Sequence, residues 1–494
     1  MLAPTFLTGP APLELALAPL VLVITACVVL AAALFRRGSE EERLVTLLVA
    51  LGGCAMAFLA LLQLLDRPGE AFAGEIQADN FGVYTGLLAT VATGLVLLGV
   101  LGHTRRYGAG WGEALSLMLL SLAGILLVCM AGGLLALFLG IEILSVAAYG
   151  LTALTRRRGR SVEGALRYLI LGAMASAFLL MGIAFAYGAT GTTSIAALAP
   201  AQKLAHLDLT ALELLALGFL LVGLGFKIGA VPFHTWVPDA YEGAPTPITG
   251  FMASAVKVAA FAAILRLVYT PLGTAHLAGL QNVLGVLAAL TMVLGNLVAL
   301  VQTNFKRMLA YSSIAHTGYM LLGVISPAGG PGAVLFYLAA YVPAVIGAFM
   351  VLVIIGRDTE DLEELGDLRG LAREHPALGL AMVVFMLSFI GVPVTGGFTA
   401  KLAVFSAAVD NGYVLLAVLG IVMSVVSVAY YLNVVRLMYI PAAQRSWYRG
   451  PARIGERAIL ATAVVVLLVL GLVPGEVLEG ALDAARPLEL LALK

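Results

Sequence analysis

Long apolar runs recur along the chain at nearly regular intervals, and short polar segments separate them. Most runs reach the roughly 20 residues that an α-helix needs to cross the hydrocarbon core of a bilayer. The residue-by-residue alternation of a membrane β-barrel is absent, so the backbone must satisfy its hydrogen bonds within helices. The pattern predicts an all-α, polytopic membrane protein with about fourteen transmembrane helices, near residues 13–35, 44–65, 82–101, 114–130, 132–154, 163–189, 210–241, 247–268, 279–301, 307–325, 332–355, 376–410, 413–437 and 458–480.

The basic residues between the runs predict the orientation, because cytoplasmic loops carry an excess of Lys and Arg. Eighteen basic residues fall in every second loop, whereas only Arg67 and Lys203 fall in the loops between them. The segment 242–247 has no basic residue although it should face the cytoplasm. We therefore expect both termini on the outer face. The eighteen are Arg36, Arg37, Arg43, Arg105, Arg106, Arg156, Arg157, Arg158, Arg160, Lys306, Arg307, Arg357, Arg369, Arg373, Arg445, Arg449, Arg453 and Arg457.

The composition agrees with a membrane protein and excludes several other classes. Of the 494 residues, 61% are hydrophobic and only 11% are charged, against roughly 25% charged in soluble domains. The balanced net charge gives no indication of a nucleic-acid partner. Cys27, Cys54 and Cys129 lack the spacing of a metal or iron–sulfur site, and no dinucleotide-binding motif follows a strand. We expect no metal and no cofactor in this chain.

Four ionisable side chains interrupt the apolar runs near their middle: Glu142, Lys227, Lys257 and Lys401. Each costs about 3 kcal/mol at that depth, so such residues mark ion paths or pair with one another. One glutamate cannot neutralise three lysines. Burial disfavours the charged form of a lysine, which can then release and accept a proton. The four residues predict a chain of proton sites, although structural ion pairs remain an alternative.

Two of the lysines lie beside helix breakers. Lys227 precedes a proline, and Lys401 follows a cluster of proline and glycine. Their host runs, 210–241 and 376–410, are longer than a crossing requires. Paired interrupted helices indicate the site of an inverted-repeat transporter, because irregular backbone at membrane depth must line a cavity or be buried in protein. The residues assigned to the breaks are Pro232, Pro393, Gly396 and Gly397.

The interrupted runs occupy equivalent places in two sets of five. Runs four to eight would begin at the cytoplasmic face and runs nine to thirteen at the outer face, and the interrupted run is fourth in each set. This order predicts two inverted five-helix repeats. The predicted division is 1–112 for the first three helices, 113–270 for the first repeat, 271–438 for the second repeat and 439–494 for the last helix.

Other polar residues within the runs could extend the chain of proton sites. His234 in VPFHTW and His316 in YSSIAHTGYM are relay candidates, and a packing role is equally open for each. Asp239 and Glu242 either fix a turn or handle protons. Four further residues could hold water or bond a helix carbonyl: Ser145, Tyr149, Ser254 and Ser313.

Three segments, VPFHTWVPDAYEGAPTP, VQTNFKRMLAYSSIAHTGY and GVPVTGGFTAKL, resemble the antiporter-like subunits of respiratory complex I, the proton-pumping NADH–quinone oxidoreductase. The N-type subunits are the most similar. The resemblance covers nearly the whole chain and is specific at these segments. It implies that Glu142 and Lys227 form a tunable ion pair, that Lys257 connects the halves, and that Lys401 is the terminal site. Val394 departs from the family, which often has a second proline there.

The resemblance also implies a function and partners. NADH, FMN, iron–sulfur clusters and quinone would bind in other subunits, whose electron transfer drives protons through this one. The partners would be neighbouring antiporter-like and small membrane subunits, within the lipid bilayer of a bacterial plasma membrane. Two alternatives stay open: a subunit of a multi-subunit sodium/proton antiporter, and a purely structural membrane-arm component with locked ion pairs.

Overall fold

The computed structural model describes residues 11–35, 40–100, 110–155, 158–198, 210–356, 362–441 and 452–492. Long helices dominate, with one short β-hairpin and two short 3-10 helices. The helices are α1 Pro12–Phe35, α2 Glu40–Leu62, α3 Asn80–Val100, α4 Trp111–Cys129, α5 Leu134–Thr152, α6 Gly159–Thr190, α7 Thr210–Ile228, α8 Trp236–Gly243, α9 Thr246–Phe251, α10 Lys257–Val268, α11 Pro271–Ala275, α12 Leu277–Leu300, α13 Phe305–Val324, α14 Gly330–Ile355, α15 Leu371–Glu374, α16 Pro376–Ile390, α17 Gly396–Asp410, α18 Val414–Tyr439, α19 Ile454–Leu472 and α20 Gly475–Ala492.

The described helices confirm a polytopic membrane fold. Twelve stretches, one of them running from α9 to α10, are long and apolar enough to cross a bilayer. Two further passes complete the fourteen that the sequence predicts. One is α13, which has 20 residues and carries polar side chains, and the other combines α16 and α17, with 15 residues each.

Two passes are interrupted where the sequence predicts breaks. The first break separates α7 from α8, and it begins at Gly229 with φ 72. The second separates α16 from α17, and it contains Gly391 with φ 86 and Val394 with φ 81. Left-handed residues end helices and favour glycine, so Val394 is an unusual occupant of this conformation. Each of these passes therefore consists of two half-helices.

The eighth pass contains an irregularity that the sequence did not indicate. A five-residue π-helix, Met252–Val256, lies between α9 and α10. Lys257 is the first residue after it. Single π-turns inside α-helices occur frequently at functional sites, and this one directly precedes a buried lysine.

A β-hairpin between α2 and α3 is likewise absent from the sequence prediction. Strand β1, Gly69–Ala71, pairs with antiparallel β2, Ile76–Ala78. Glu75 at its turn accepts a hydrogen bond from the backbone N–H of Ala136, with Oε2 2.9 Å from the nitrogen. A carboxylate in this position caps the first turn of α5. The hairpin therefore positions the helix that carries Glu142.

Ion pairs gather several of the basic residues at one end of the bundle, which we call the basic side. Arg158 and Lys306 both pair with Glu363, and Arg160 and Arg307 both pair with Glu242. These residues come from loops that the sequence places on the same face. Ten residues of the orientation argument lie outside the described residues: Arg36, Arg37, Arg105, Arg106, Arg156, Arg157, Lys203, Arg357, Arg445 and Arg449.

Candidate functional site

Lys227 lies in the last turn of α7, where a cation is favoured by the helix dipole. Its buried Nζ donates to Ser145 Oγ at 2.6 Å. Ser145 is three residues after Glu142 on α5, and half-buried Glu142 accepts instead from Ser176 Oγ. Among the ion pairs of the described residues, none joins Glu142 to Lys227. The pair that the resemblance implies is therefore open in this structure.

A single threonine side chain separates Lys257 from the end of α7. Lys257 Nζ donates to Ser313 O at 2.6 Å and to Thr317 Oγ1 at 3.1 Å. Thr317 Oγ1 in turn lies 2.9 Å from Ile228 O, the carbonyl next to Lys227. A cavity of about 10 Å³ is lined by both lysines, close to the smallest space that holds one water. The sequence analysis did not identify Thr317.

His316 lies between Lys257 and Lys401, within an aromatic cluster. Its Nδ1 is 2.5 Å from Tyr337 Oη, and its Nε2 is 3.1 Å from Tyr431 Oη. The ring centre of Tyr341 is 5.2 Å from that of His316 and 5.1 Å from Lys257 Nζ. The histidine is thus hydrogen-bonded on both nitrogens and is one aromatic ring away from Lys257.

Lys401 binds the open end of a half-helix. Its Nζ donates to Phe389 O and Ile390 O, each at 2.8 Å, and to Ser424 Oγ at 2.5 Å. The break leaves the last carbonyls of α16 without helical partners, and such half-helix ends coordinate cations in transporters. The ring of Tyr319 lies 5.1 Å from Lys401 Nζ, and its centre is 5.7 Å from that of His316.

These contacts form one continuous line through the protein, which we call the polar row. Each step is a hydrogen bond, a shared aromatic ring or the small cavity between two lysines. In order, the polar row comprises Ser145, Lys227, Thr317, Lys257, Tyr341, His316, Tyr319 and Lys401. Glu142 lies three residues before Ser145 on α5, beside the first member of the row.

The lysines of the polar row bond to neutral oxygens and not to carboxylates. In the part of the chain that the structure describes, no ion pair includes Lys227, Lys257 or Lys401, although all three are buried. A buried charge without a counter-charge is costly, which favours release of the proton. This arrangement opposes a function as locked ion pairs and suits groups that gain and lose protons.

The remaining predicted polar residues lie apart from the polar row. His234 in the first break is half-buried, and its buried Nδ1 has no hydrogen-bond partner among the described residues. Ser254 Oγ bonds the carbonyl of Gly250 in its own helix. Asp239 and Glu242 both accept from Arg307, at 2.9 Å and 2.8 Å, so they fasten α8 to α13. The relay role of His234 stays a prediction.

Gly396 and Gly397, which the sequence analysis assigned to the second break, are the first two residues of α17 and permit a close helix approach. A Cβ on Gly397 would lie 1.8 Å from Ser388 O, and one on Gly396 would lie 2.9 Å from Leu470 Cβ. Gly397 N also donates to Ser388 Oγ at 3.2 Å. Pro232 and Pro393 lie in the irregular segments themselves. The two halves of this pass can therefore meet only with glycine at 397.

Arg266 is a buried charge near the site that the sequence analysis missed. It lies in the last turn of α10, and its guanidinium pairs with Asp79 at 2.8 Å and bonds the carbonyl of Cys129. Its helix begins with Lys257. Arg266 therefore fixes the far end of the helix that presents Lys257. In the sequence, Asp79 directly before the third apolar run was the feature that could have indicated a partner for Arg266.

Metal ligands do not cluster in the described ranges. No group of three or more His, Cys, Asp or Glu side chains there has the geometry to hold a metal ion. Cys54 and Cys129 are buried free thiols, and Cys27 is an exposed one. The polar row itself offers proton donors and acceptors, and no described cluster beside it has the form of a metal site.

Comparison with known proteins places these features in a family. The family model described as "NADH:quinone oxidoreductase/Mrp antiporter, TM" matches residues 131–427, which include every residue of the polar row. NADH-quinone oxidoreductase subunit N of Trichlorobacter lovleyi is 39% identical over 420 residues, covering 84% of this chain and 86% of that protein.

Two solved structures share the fold. A chain of respiratory complex I from Thermus thermophilus with bound Aureothin has a TM-score of 0.80 and 38% identity, covering 94% of this chain and 98% of that chain. A chain of the Mrp complex from Dietzia sp. DQ12-45-1b has a TM-score of 0.84 and 23% identity, covering 98% of this chain and 100% of that chain. The second likeness concerns the fold alone.

Proposed function

The chain belongs to the NADH:quinone oxidoreductase/Mrp antiporter family, and from this premise we propose that it works as subunit N of a bacterial NADH-quinone oxidoreductase. It is a multi-pass protein of the plasma membrane and a membrane-arm subunit of that enzyme, beside other membrane subunits. In this position it translocates protons, and electron transfer in other subunits drives the movement.

The polar row is the observation that carries the proposal. It connects the two broken passes at mid-membrane depth through groups that exchange protons or can order water. Broken helices with binding sites at their ends are the common design of secondary transporters. A row of this kind has no evident purpose in a purely structural component.

Glu142 and Lys227 would form the switch. With the carboxylate about 4 Å away, the ammonium would be stabilised by about 4 kcal/mol at an effective dielectric constant of 20. Moving one charge against 100 mV requires about 2.3 kcal/mol, so closing and opening the pair could drive one transfer. In the open arrangement seen here, the proton of Lys227 would pass to Lys257 through a water in the small cavity that both lysines line, and then past His316 to Lys401.

We propose that the redox chemistry lies outside this chain. NADH, FMN, the iron–sulfur clusters and quinone belong to other subunits of the complex, and this chain contributes proton sites alone. The two alternative functions differ in testable ways. A sodium/proton antiporter subunit would require sodium, and a structural component would tolerate any variant that keeps its charges.

Replacement of Lys227 tests the proposal. Lys227→Ala and Lys227→Arg in the assembled complex should both lower NADH-driven proton uptake by liposomes in sodium-free buffer, by about 10²-fold. Arginine keeps the charge but does not release its proton, so it separates a relay from an ion-pair role. Assembly is checked on native gels.

Three outcomes would contradict the proposal. Normal pumping in Lys227→Arg would favour a structural charge at this position. Normal pumping in Lys227→Ala would exclude the relay step, and a strict sodium requirement of the wild-type complex would favour the antiporter.

A further inference from the structure

A large apolar groove opens on the surface of the basic side, between α14, α16 and α19. Its volume is about 850 Å³, and its walls include Ile354, Leu380, Val384, Val464 and Leu468. Leu380 is 63% exposed. These residues lie on passes that cross the bilayer, and the groove extends from the basic-side ends of α16 and α19 into the acyl region of the bilayer.

The rim of the groove carries both an acid and basic groups. Glu374, His375 and Arg457 line it at the level where α16 and α19 begin. Arg457 Nε donates to Ala452 O at 2.8 Å, which fixes the guanidinium there. Within the described ranges, no ion pair includes Glu374 or Arg457. Among the described residues, the opposite charges on the rim are thus not paired with each other.

His375 adds an unsatisfied nitrogen to the same rim. Its Nε2 is buried and has no hydrogen-bond partner among the described residues. Leaving such a group unsatisfied is unfavourable, because the hydrogen bond to water that burial removed is not replaced. A hydrogen-bonding ligand at the rim would remove that cost, whereas a purely apolar occupant would not.

We propose that the groove binds a phospholipid whose headgroup carries a phosphate and a primary ammonium, as in phosphatidylethanolamine. Arginine binds phosphate in a bidentate fork, and basic pockets between transmembrane helices on the cytoplasmic side bind lipid phosphates. Arg457 and His375 hold the phosphate, Glu374 accepts from the ammonium, and the acyl chains fill the groove.

Glu374 on the rim should make the groove bind some lipid headgroups more tightly than others. A headgroup with only negative charge would meet repulsion from Glu374, which lowers its affinity. A choline headgroup has no N–H to donate to the carboxylate. Only a headgroup with an ammonium N–H matches all three rim residues.

The bound lipid also supports the proton site that the proposed function assigns to Lys401. The groove is lined by α16, whose last carbonyls hold Lys401. The lipid packs α16 against α19 and so stabilises the half-helix. The lipid site itself does not depend on proton transfer, because its test measures binding.

The test uses the whole purified complex in nanodiscs with equal amounts of phosphatidylethanolamine, phosphatidylglycerol and phosphatidylcholine. Native mass spectrometry counts each lipid retained after mild delipidation. We expect one or more phosphatidylethanolamine molecules in the wild type to be lost in Arg457→Ala, with affinity about tenfold lower. Glu374→Gln should shift the preference to phosphatidylglycerol, and Ala461→Trp should exclude both by filling the groove.

Arg373→Ala is the matched control, because Arg373 is exposed on α15 and is not among the residues that line the groove. It should retain the wild-type lipid pattern. Equal retention of the three lipids by the wild type, or an unchanged pattern in Glu374→Gln and Ala461→Trp, would overturn the proposal. A disulfide or cross-linker bridge from Ala461→Cys to a neighbouring subunit would also overturn it, since a protein would then fill the groove.

Discussion

Lys401 differs from the other buried lysines in the groups that hold it. Two backbone carbonyls at the end of α16 and one serine hydroxyl surround its Nζ. Lys227 has one serine partner, and Lys257 has a carbonyl and a threonine. The three acceptors around Lys401 hold its amine in a fixed position at the end of α16, which is also the end of the polar row.

Substitution of Lys401 should stop proton movement without disturbing electron transfer at low membrane potential. Lys401→Ala removes the terminal acceptor, so we expect uptake by liposomes to fall by about 10²-fold, while uncoupled NADH oxidation continues. The measurement is dye quenching in liposomes, with an uncoupler added for the second rate.

Ser427→Ala is a matched control, since Ser427 is buried on the same helix as Ser424 and its hydroxyl bonds the Ser424 carbonyl and not Lys401. It should leave pumping unchanged. Wild-type pumping in Lys401→Ala would remove Lys401 from the path.

At the scale of single residues, sequence reasoning could find the charges but not the groups between them. Lysine and glutamate are rare inside membrane helices, so Glu142, Lys227, Lys257 and Lys401 are conspicuous. Threonine and tyrosine are ordinary there. Thr317 joins the polar row only because α7 and α13 meet at that point, which no local pattern encodes.

The broken passes show how short elements create the site. Half-helices α16 and α17 overlap so closely that Ser388 O would meet a Cβ on Gly397. The overlap brings the carbonyls of Phe389 and Ile390 to Lys401, which lies on the partner half-helix. Glycine at this position is therefore a requirement of the lysine site.

Gly397→Ala should weaken both the fold and the Lys401 site. The added methyl group would meet backbone at 1.8 Å, and overpacking of this kind costs about 1–3 kcal/mol. We expect a lower thermal midpoint of the purified complex and slower pumping.

Gly218→Ala provides the comparison, because a Cβ there meets nothing within 4 Å. Alanine also favours the helix by about 1 kcal/mol. Equal thermal midpoints for the two variants would show that the close approach at Gly397 does not affect the stability of the complex.

At the scale of elements, length and breakers allowed the interrupted passes to be predicted. The runs 210–241 and 376–410 exceed one crossing, and prolines mark their centres. The π-helix Met252–Val256 and the β-hairpin could not be predicted, since both depend on neighbours. The hairpin hydrogen-bonds to the α4–α5 connection, where Gly132 N donates to Glu75 O at 2.9 Å.

At the scale of the molecule, the C-terminal helix α20 packs on the end of α14 opposite the basic side. Glu489 accepts from the backbone N–H groups of Gly329 and Gly332, and burial raises the pKa of its carboxyl despite those bonds. One carboxylate oxygen, Oε1, has no partner among the described residues. The docked helix therefore binds the protonated carboxyl better than the charged one.

Docking of α20 should weaken as the pH rises. A raised pKa means that the docked state takes up a proton, so its stability is full at low pH. That stability falls from about the ordinary carboxyl pKa upward and levels off above the raised value. The docking constant is therefore larger at low pH than at high pH. Hydrogen exchange of α20, corrected for intrinsic rates, measures the effect.

Glu489→Gln should make that exchange independent of pH, because the amide cannot ionise. Asp483→Asn is the matched control on an exposed position of the same helix, and it should keep the wild-type profile. A wild-type profile without pH dependence would contradict the expected docking energy.

The number of transmembrane passes was easier to predict from the sequence than the contacts between them. The apolar runs predicted the number of passes, and twelve of them are recovered as single apolar stretches among the described residues. The division at residues 112, 270 and 438 stays a prediction. Sequence could not reveal the groove between α14, α16 and α19, because its walls come from distant segments.

One helix, α13, meets the polar row and the basic side at once. Its first turn clamps α8 through Lys306 and Arg307, and its middle presents Ser313, His316 and Thr317. An α-helix turns about 100° per residue. Inserting or deleting a single residue between 307 and 313 would rotate Ser313, His316 and Thr317 by about 100° relative to the residues of the first turn. The number of residues between the two groups therefore fixes the direction in which the relay side chains point relative to the anchoring side chains.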